Sequence, residues 1–169
     1  MNKTISNTSV TTSVSELTKV ALIVALYVVV TAWFAVFSFG AIQLRMSEMF
    51  NYLALYHKRY VLAVTLGVVF ANFMSPTWML DVPIGGLATF LVLILCRAAT
   101  KNISNQIVKM AVTAVIFALS MFTVAGQLSI MLDLPFFYTW LTVGLGELLS
   151  MTVGGFFVYM LSKKIDLSK

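Results

Sequence analysis

The sequence predicts an all-α integral membrane protein, a bundle of six transmembrane helices, on three observations. Of 169 residues, 60% are hydrophobic and only 10% are charged. Apolar runs on the scale of the roughly 20 residues that a helix needs to cross a bilayer recur along the chain. The cations fall in alternate connecting segments, as they must if one side of a membrane holds them. Lipid offers no hydrogen-bond partners, so each span has to satisfy its own backbone, and a helix does so. The length is read as one domain over residues 16–169, behind a disordered cytoplasmic tail over residues 1–15, without room for a separate nucleotide-binding or catalytic module.

The tail is rich in Ser, Thr and Asn and has no hydrophobic periodicity. The run from Leu17 to Phe37 exceeds a signal-peptide core and carries no small-residue cleavage site behind a short apolar segment, which predicts a retained first helix. A shorter second segment is expected from Ile42 to Tyr56, a third from Tyr60 to Phe73 and a fourth from Val82 to Leu95. The fifth is expected from Val108 to Gln127 and the sixth from Phe136 to Leu161. Small residues mark faces that permit close helix approach: Ala21, Ala25 and Ala32 in the first helix, and Ala63, Gly67 and Ala71 in the third. The third-helix set reads as packing within the bundle. The first-helix set fits either packing or a surface offered to another membrane subunit.

Ten of the eleven Lys and Arg residues lie in the tail, in alternate connections, at the C-terminus or, for Lys19 and Lys109, just inside the adjoining helix end, all on one face, and the positive-inside rule then places both termini in the cytoplasm. Arg45 is the exception. The net charge of +5 is therefore topological rather than a sign of nucleic-acid binding, and the basic inner face also suits anionic lipid. The acids do the reverse: Glu48, Asp81, Asp133 and Glu147 fall on or just within the outer side, while Glu16 and Asp166 are inner. Ionisable groups inside a membrane are costly and mark functional sites by default.

Arg45 and Glu48 are three residues apart, so a helix puts them on one face, either as a local ion pair or as part of a ligand site. In the sixth helix Trp140, Gly144, Glu147, Ser150 or Met151, and Gly154 recur at three- and four-residue steps. That pattern serves close packing through the glycines or a cavity wall in which the carboxylate meets a ligand. Between the third and fourth helices the stretch from Ala71 to Pro83 combines Asn72, Ser75, Pro76, Trp78 and Asp81, and reads as a pocket lid more than a connector. No catalytic constellation emerges and no metal or cofactor site is expected. His57 is the sole histidine, beside Lys58 and Arg59, and Cys96 is the sole cysteine, read as a buried thiol. The sequence holds no phosphate-cradling glycine loop and no serine elbow.

Three runs carry a resemblance: Phe39-Gly-Ala-Ile-Gln43-Leu-Arg45-Met-Ser47-Glu48, Ala71-Asn72-x-x-Ser75-Pro76 continuing to Asp81 and Gly85-Gly-Leu-Ala88-Thr89, and Gly146-Glu147. Together they resemble the QueT family, substrate-binding S components of energy-coupling factor (ECF) transporters assigned to uptake of queuosine precursors. The chain departs from the family pattern at Thr113-Ala114, where an Asn-Ala pair is expected, and in lacking a proline after its Arg-x-Ser-Glu motif.

The resemblance implies a six-helix S component in the bacterial cell membrane that captures its ligand outside and docks on an ECF module of one transmembrane coupling subunit and two cytoplasmic ATPases. Ala21 and Ala25 resemble the alanine motif through which the first helix meets the coupling subunit. The implied ligand is a deazaguanine such as pre-queuosine or queuine. Glu147 or Glu48 would accept two hydrogen bonds from its guanine-like edge, and Asp81 or the other Glu would attract an ammonium. Gln43, Asn72 and Thr113 would complete the polar contacts, Trp78, Tyr138 and Trp140 would stack on the ring, and Arg45 would orient Glu48 or contact the ring carbonyl. The alternatives are an S component for another vitamin-like molecule and a self-contained proton-coupled exporter of small cations. An intramembrane enzyme ranks below both.

Overall fold

The structure is a computed structural model that describes residues 8–38 and 44–168. Among these residues every regular element is helical. Helix α1 spans Thr8–Trp33, starting within the stretch read as tail, and a single turn, α2 (Ala35–Ser38), follows it. The expected second span is a 3-10 helix, Met46–Leu55. Helix α3 covers Arg59–Asn72, and a short turn, α4 (Trp78–Leu80), leads through a π-helical turn, Asp81–Gly85, into α5 (Gly86–Thr100). The expected fifth helix is two, α6 (Gln106–Ser120) and α7 (Phe122–Leu132), and α8 runs over Phe136–Ser162.

Four stretches are long and apolar enough to cross a membrane: Val14–Trp33, Trp78–Thr100, Gln106–Leu132 and Phe136–Ser162. Helix α3 is apolar but shorter, at 14 residues or about 21 Å. The 3-10 helix is different in kind. Its ten residues are buried on nearly every side, including Ser47, Glu48, Phe50, Asn51, Tyr52, Leu53 and Ala54, and it packs against α1, α3, α5, α6 and α8. It forms the axis of the core rather than one wall of a ring of equal helices.

Close approach depends on small residues, because apolar surface gains little by leaving lipid and packing has to supply the attraction. A Cβ on Gly67 of α3 would sit 2.7 Å from Cβ of Tyr27, the fully buried anchor of α1. Gly154 and Gly155 of α8 lie against Met49 and Tyr52 of the 3-10 helix, and Gly144 faces the backbone of Ala118 in α6. Ala63 and Ala71 are fully buried beside Gly67, so the small face of the third helix is packing, as expected. Cys96 is buried and free.

The ends of the helices are closed locally. Asn105 caps α6, its Oδ1 accepting the N–H groups of Ile107 (2.9 Å) and Val108 (3.3 Å). Asp133 ends α7 in the left-handed region at φ 53°, and Pro135 starts α8. At the Lys- and Arg-rich end, the Arg59 guanidinium bonds to Glu16 of α1 and to the Ser168 carbonyl, drawing the start of α1 and the C-terminal segment onto α3.

Candidate functional site

Glu48 is held by the geometry of its own helix. With three residues per turn, a 3-10 helix eclipses positions i and i+3, so Asn51 stands over Glu48 and donates Nδ2–H to Oε2 at 2.5 Å. The Tyr27 hydroxyl of α1 donates to Oε1 at 2.7 Å, and Arg45 lies 3.7 Å from the same oxygen. Both carboxylate oxygens therefore have protein partners. One turn along α1, Thr31 and Ser47 share a hydrogen bond of 2.6 Å, a second polar clasp between the same two elements.

Arg45 links this centre to the connector. Its Nη1 donates to Asn72 Oδ1 at 3.0 Å, and Asn72 Nδ2 donates to the Asp81 carbonyl at 2.7 Å. The Asp81 carboxylate is held in turn, its Oδ2 accepting Ser75 and Thr77 hydroxyls at 2.5 Å each. Gly85 is required here: a Cβ would stand 2.5 Å from Asn72 Nδ2. The π turn and its glycine bring the Asp81 backbone and the Asn72 amide together, in keeping with the frequent placement of π turns at functional positions.

These groups border a cavity of about 60 Å³, room for several water-sized groups. Arg45, Glu48, Asn72 and Asp81 line one side. Glu147, on α8, lines another. It is the twelfth of 27 residues in that helix, roughly 17 Å from its start, and is 3% exposed. Its Oε1 has no hydrogen-bond partner among the described residues. A buried polar atom left unpaired costs on the order of 1–3 kcal/mol.

The third side is the break between α6 and α7, with Phe117, Ser120, Met121, Thr123, Val124 and Gln127. A broken helix frees carbonyls, and nearby donors take them: Ser120 Oγ to the Phe117 carbonyl (2.7 Å) and Thr123 Oγ1 to that of Ser120 (3.0 Å). Trp140 Nε1 donates to the Leu119 carbonyl at 3.1 Å from across the α6/α8 contact. Gln127 donates Nε2–H to the Thr123 carbonyl at 3.3 Å, while its Oε1 is buried and without a partner among the described residues.

Of the residues expected at a site, the structure gathers Arg45, Glu48, Asn72, Asp81 and Glu147 around one cavity. The others stand elsewhere. Thr113 is fully buried and bonded to the Lys109 carbonyl (2.9 Å) in its own helix. Trp78 is half exposed and packs on Phe73, and Tyr138 is exposed on the outer surface of α8. Trp140 serves the helix break. None of these four lines the cavity. Gln43 falls outside the described residues.

Thr89, Ser120, Thr123 and Gln127 line the cavity beyond that expected set. Gln127 carried a readable signal. It ends the expected fifth span, yet five further residues, mostly apolar, carry α7 on to Leu132, which leaves an amide inside an apolar run.

A polar, carboxylate-lined cavity within membrane-length helices is the arrangement of a membrane transporter for a small polar molecule. The comparisons with known proteins agree. The family model described as QueT transporter matches residues 17–163. A protein of Lactococcus lactis subsp. cremoris (strain MG1363) named queuosine precursor transporter QueT is 38% identical over 163 residues, covering 91% of this chain and 96% of that protein. The chain belongs to the QueT transporter family. No solved structure matches it.

Proposed function

We propose that the cavity binds a queuosine precursor, a substituted deazaguanine, and that the chain is the substrate-binding S component of an ATP-driven ECF importer. The observation that carries the reading is the asymmetry of the two carboxylates. Glu48 is held by Tyr27, Asn51 and Arg45, whereas Glu147 keeps an oxygen without a protein donor. A guanine-like edge, with adjacent ring N–H and amino donors, supplies two parallel hydrogen bonds of the kind a carboxylate accepts best. Glu147 takes that edge. Gln127 Oε1 accepts a further N–H, and Asp81, on the connector, attracts the ammonium of an aminomethyl substituent. Arg45 and Asn72 hold the far wall and set its register.

The bundle is oriented with its Lys- and Arg-rich end and both termini in the cytoplasm. The cavity then faces outward, because Asn72, Asp81 and the α6/α7 break all lie toward the opposite helix ends. The sequence has no phosphate-binding loop, so ATP hydrolysis belongs to partner subunits. Ala21 and Ala25 are exposed on α1 and offer a small-residue face to the coupling subunit.

The test is calorimetric titration of the purified, detergent-solubilised protein with aminomethyl deazaguanine, its nitrile analogue, queuine and guanine. Selective binding of one deazaguanine over guanine is expected. No heat from any of them, with protein shown to be folded, overturns the substrate assignment. Failure to co-purify with a membrane coupling subunit and ATPases, when these are co-expressed, overturns the ECF assignment.

A further inference from the structure

We propose a binding site for one anionic phospholipid in the groove between α3 and α5, at the Lys- and Arg-rich end of the bundle. The groove has a volume of about 280 Å³ and is lined by Lys58, Val61, Leu62, Phe90, Ile94 and Arg97. Its chemistry is divided along its length. Lys58 precedes α3 and Arg97 lies in the last turn of α5, so the two antiparallel helices bring their cations to the same end. Ile94 and Phe90 lie one and two turns deeper on α5, and Val61 and Leu62 lie one turn deeper on α3. From Arg97 back to Phe90 the helix rises roughly 10 Å, the distance from a phosphate to the upper part of an acyl chain.

The cations suit a phosphate and are available to it. Arg97 Nη1 donates to the Ala54 carbonyl at the end of the 3-10 helix, which fixes the guanidinium in place. A guanidinium has five N–H groups, so this leaves donors for a second acceptor. Lys58 is exposed. Among the described residues no carboxylate lines the groove, and the nearby Glu16 pairs with Arg59 and Lys19. The local field is positive at the adjacent His57, whose pKa is held below the usual histidine value by desolvation and then by Arg59, with Lys58 and Arg97 acting in the same sense. Leu62 and Ile94 are 54% and 45% exposed, so an acyl chain has apolar surface to lie on. Basic pockets between membrane helices at the cytoplasmic face bind anionic headgroups on the same principle.

Native mass spectrometry of the whole protein in detergent, titrated separately with phosphatidylglycerol and phosphatidylcholine, tests the site. One phosphatidylglycerol is expected to bind at least tenfold more tightly than phosphatidylcholine. Lys58→Gln should lower that affinity about fivefold, the equivalent of the ~1 kcal/mol that one basic side chain contributes at an anionic surface. Leu62→Trp, which fills the groove and keeps both cations, should abolish the preference. Lys163→Gln/Lys164→Gln, at the same end but outside the groove, should leave it intact. Equal binding of the two lipids overturns the proposal. So does an equal loss in Lys58→Gln and in the Lys163/Lys164 variant, which would mean a diffuse basic surface in place of a site. Lys58 is exposed and its side chain makes no hydrogen bond or ion pair among the described residues, so Lys58→Gln removes the charge without disturbing the fold.

Discussion

Two glutamates in one cavity are given different work by the atoms around them. Glu48 has donors on both oxygens, and Glu48→Gln would set its amide N–H either against the Asn51 Nδ2 donor or at the Oε1 position, where it loses the Arg45 ion pair and the Tyr27 hydroxyl must turn from donor to acceptor. That mismatch should cost about 1–3 kcal/mol of stability, seen as a lower melting temperature in detergent. Glu147→Gln removes no protein hydrogen bond from Oε1, so the fold should tolerate it while affinity for a deazaguanine drops by about 2 kcal/mol, roughly 30-fold. Unchanged affinity in Glu147→Gln would take this residue out of the site. A third residue-scale prediction concerns His57. Desolvation first, then Arg59, Lys58 and Arg97, lower its pKa against the opposing pull of Glu16, and its Nδ1 accepts the Arg59 N–H at 3.1 Å. The folded state then binds fewer protons than the unfolded one below about pH 6.5, so acidification through that range removes stability. As the sole histidine, His57 gives a single imidazole signal in an NMR titration. Arg59→Gln should move its midpoint upward.

At the scale of elements, the irregular helices position the site. The 3-10 helix stacks Asn51 on Glu48, the π turn presents Asp81 to Asn72, and the α6/α7 break opens a wall around Gln127. The sequence displayed the residues of these elements more clearly than their geometry. Arg45 and Glu48 are legible as a pair at either helical period, since three-residue spacing aligns them in a 3-10 helix even better than in an α-helix. The ten residues from Met46, seven of them buried, read as a short α-span because apolar content alone does not distinguish the two helices. The break at Met121 has no Pro or Gly to announce it, and only its hydroxyl-bearing flanks, Ser120 and Thr123, hint at freed carbonyls. Trp140 illustrates the consequence. The family resemblance implies a ligand-stacking role for it, whereas in the fold it stands outside the cavity lining and its indole N–H closes the Leu119 carbonyl across the helix contact. Trp140→Phe should therefore lower stability by about 1 kcal/mol and leave deazaguanine affinity within twofold of the parent. A large loss of affinity with unchanged stability would return Trp140 to the binding site.

Across the whole molecule, charge and packing divide the bundle into two ends with different tasks. Cations gather at the starts of α3 and α6 and the ends of α5 and α8, and the cavity lies toward the opposite ends of the same helices. That polarity was readable from the alternation of Lys and Arg along the chain, because topology is set by charges that need no tertiary structure to be counted. The surface of α1 is less easily read from sequence, since alanines at four-residue spacing serve internal and external contacts equally well. In the fold Tyr27 and Thr31 of α1 face the core and are fully buried, while Ala21, Leu22, Ala25 and Leu26 are exposed. A face made for lipid alone has no need of small side chains, whereas a close helix-to-helix contact does. Ala25→Trp places a bulky ring on that face without touching the cavity. Ligand affinity of the isolated protein should be unchanged, while co-purification with the coupling subunit and uptake into cells fall at least tenfold. Full uptake by the Ala25→Trp protein would remove this face of α1 from the coupling interface and leave the binding site as it stands.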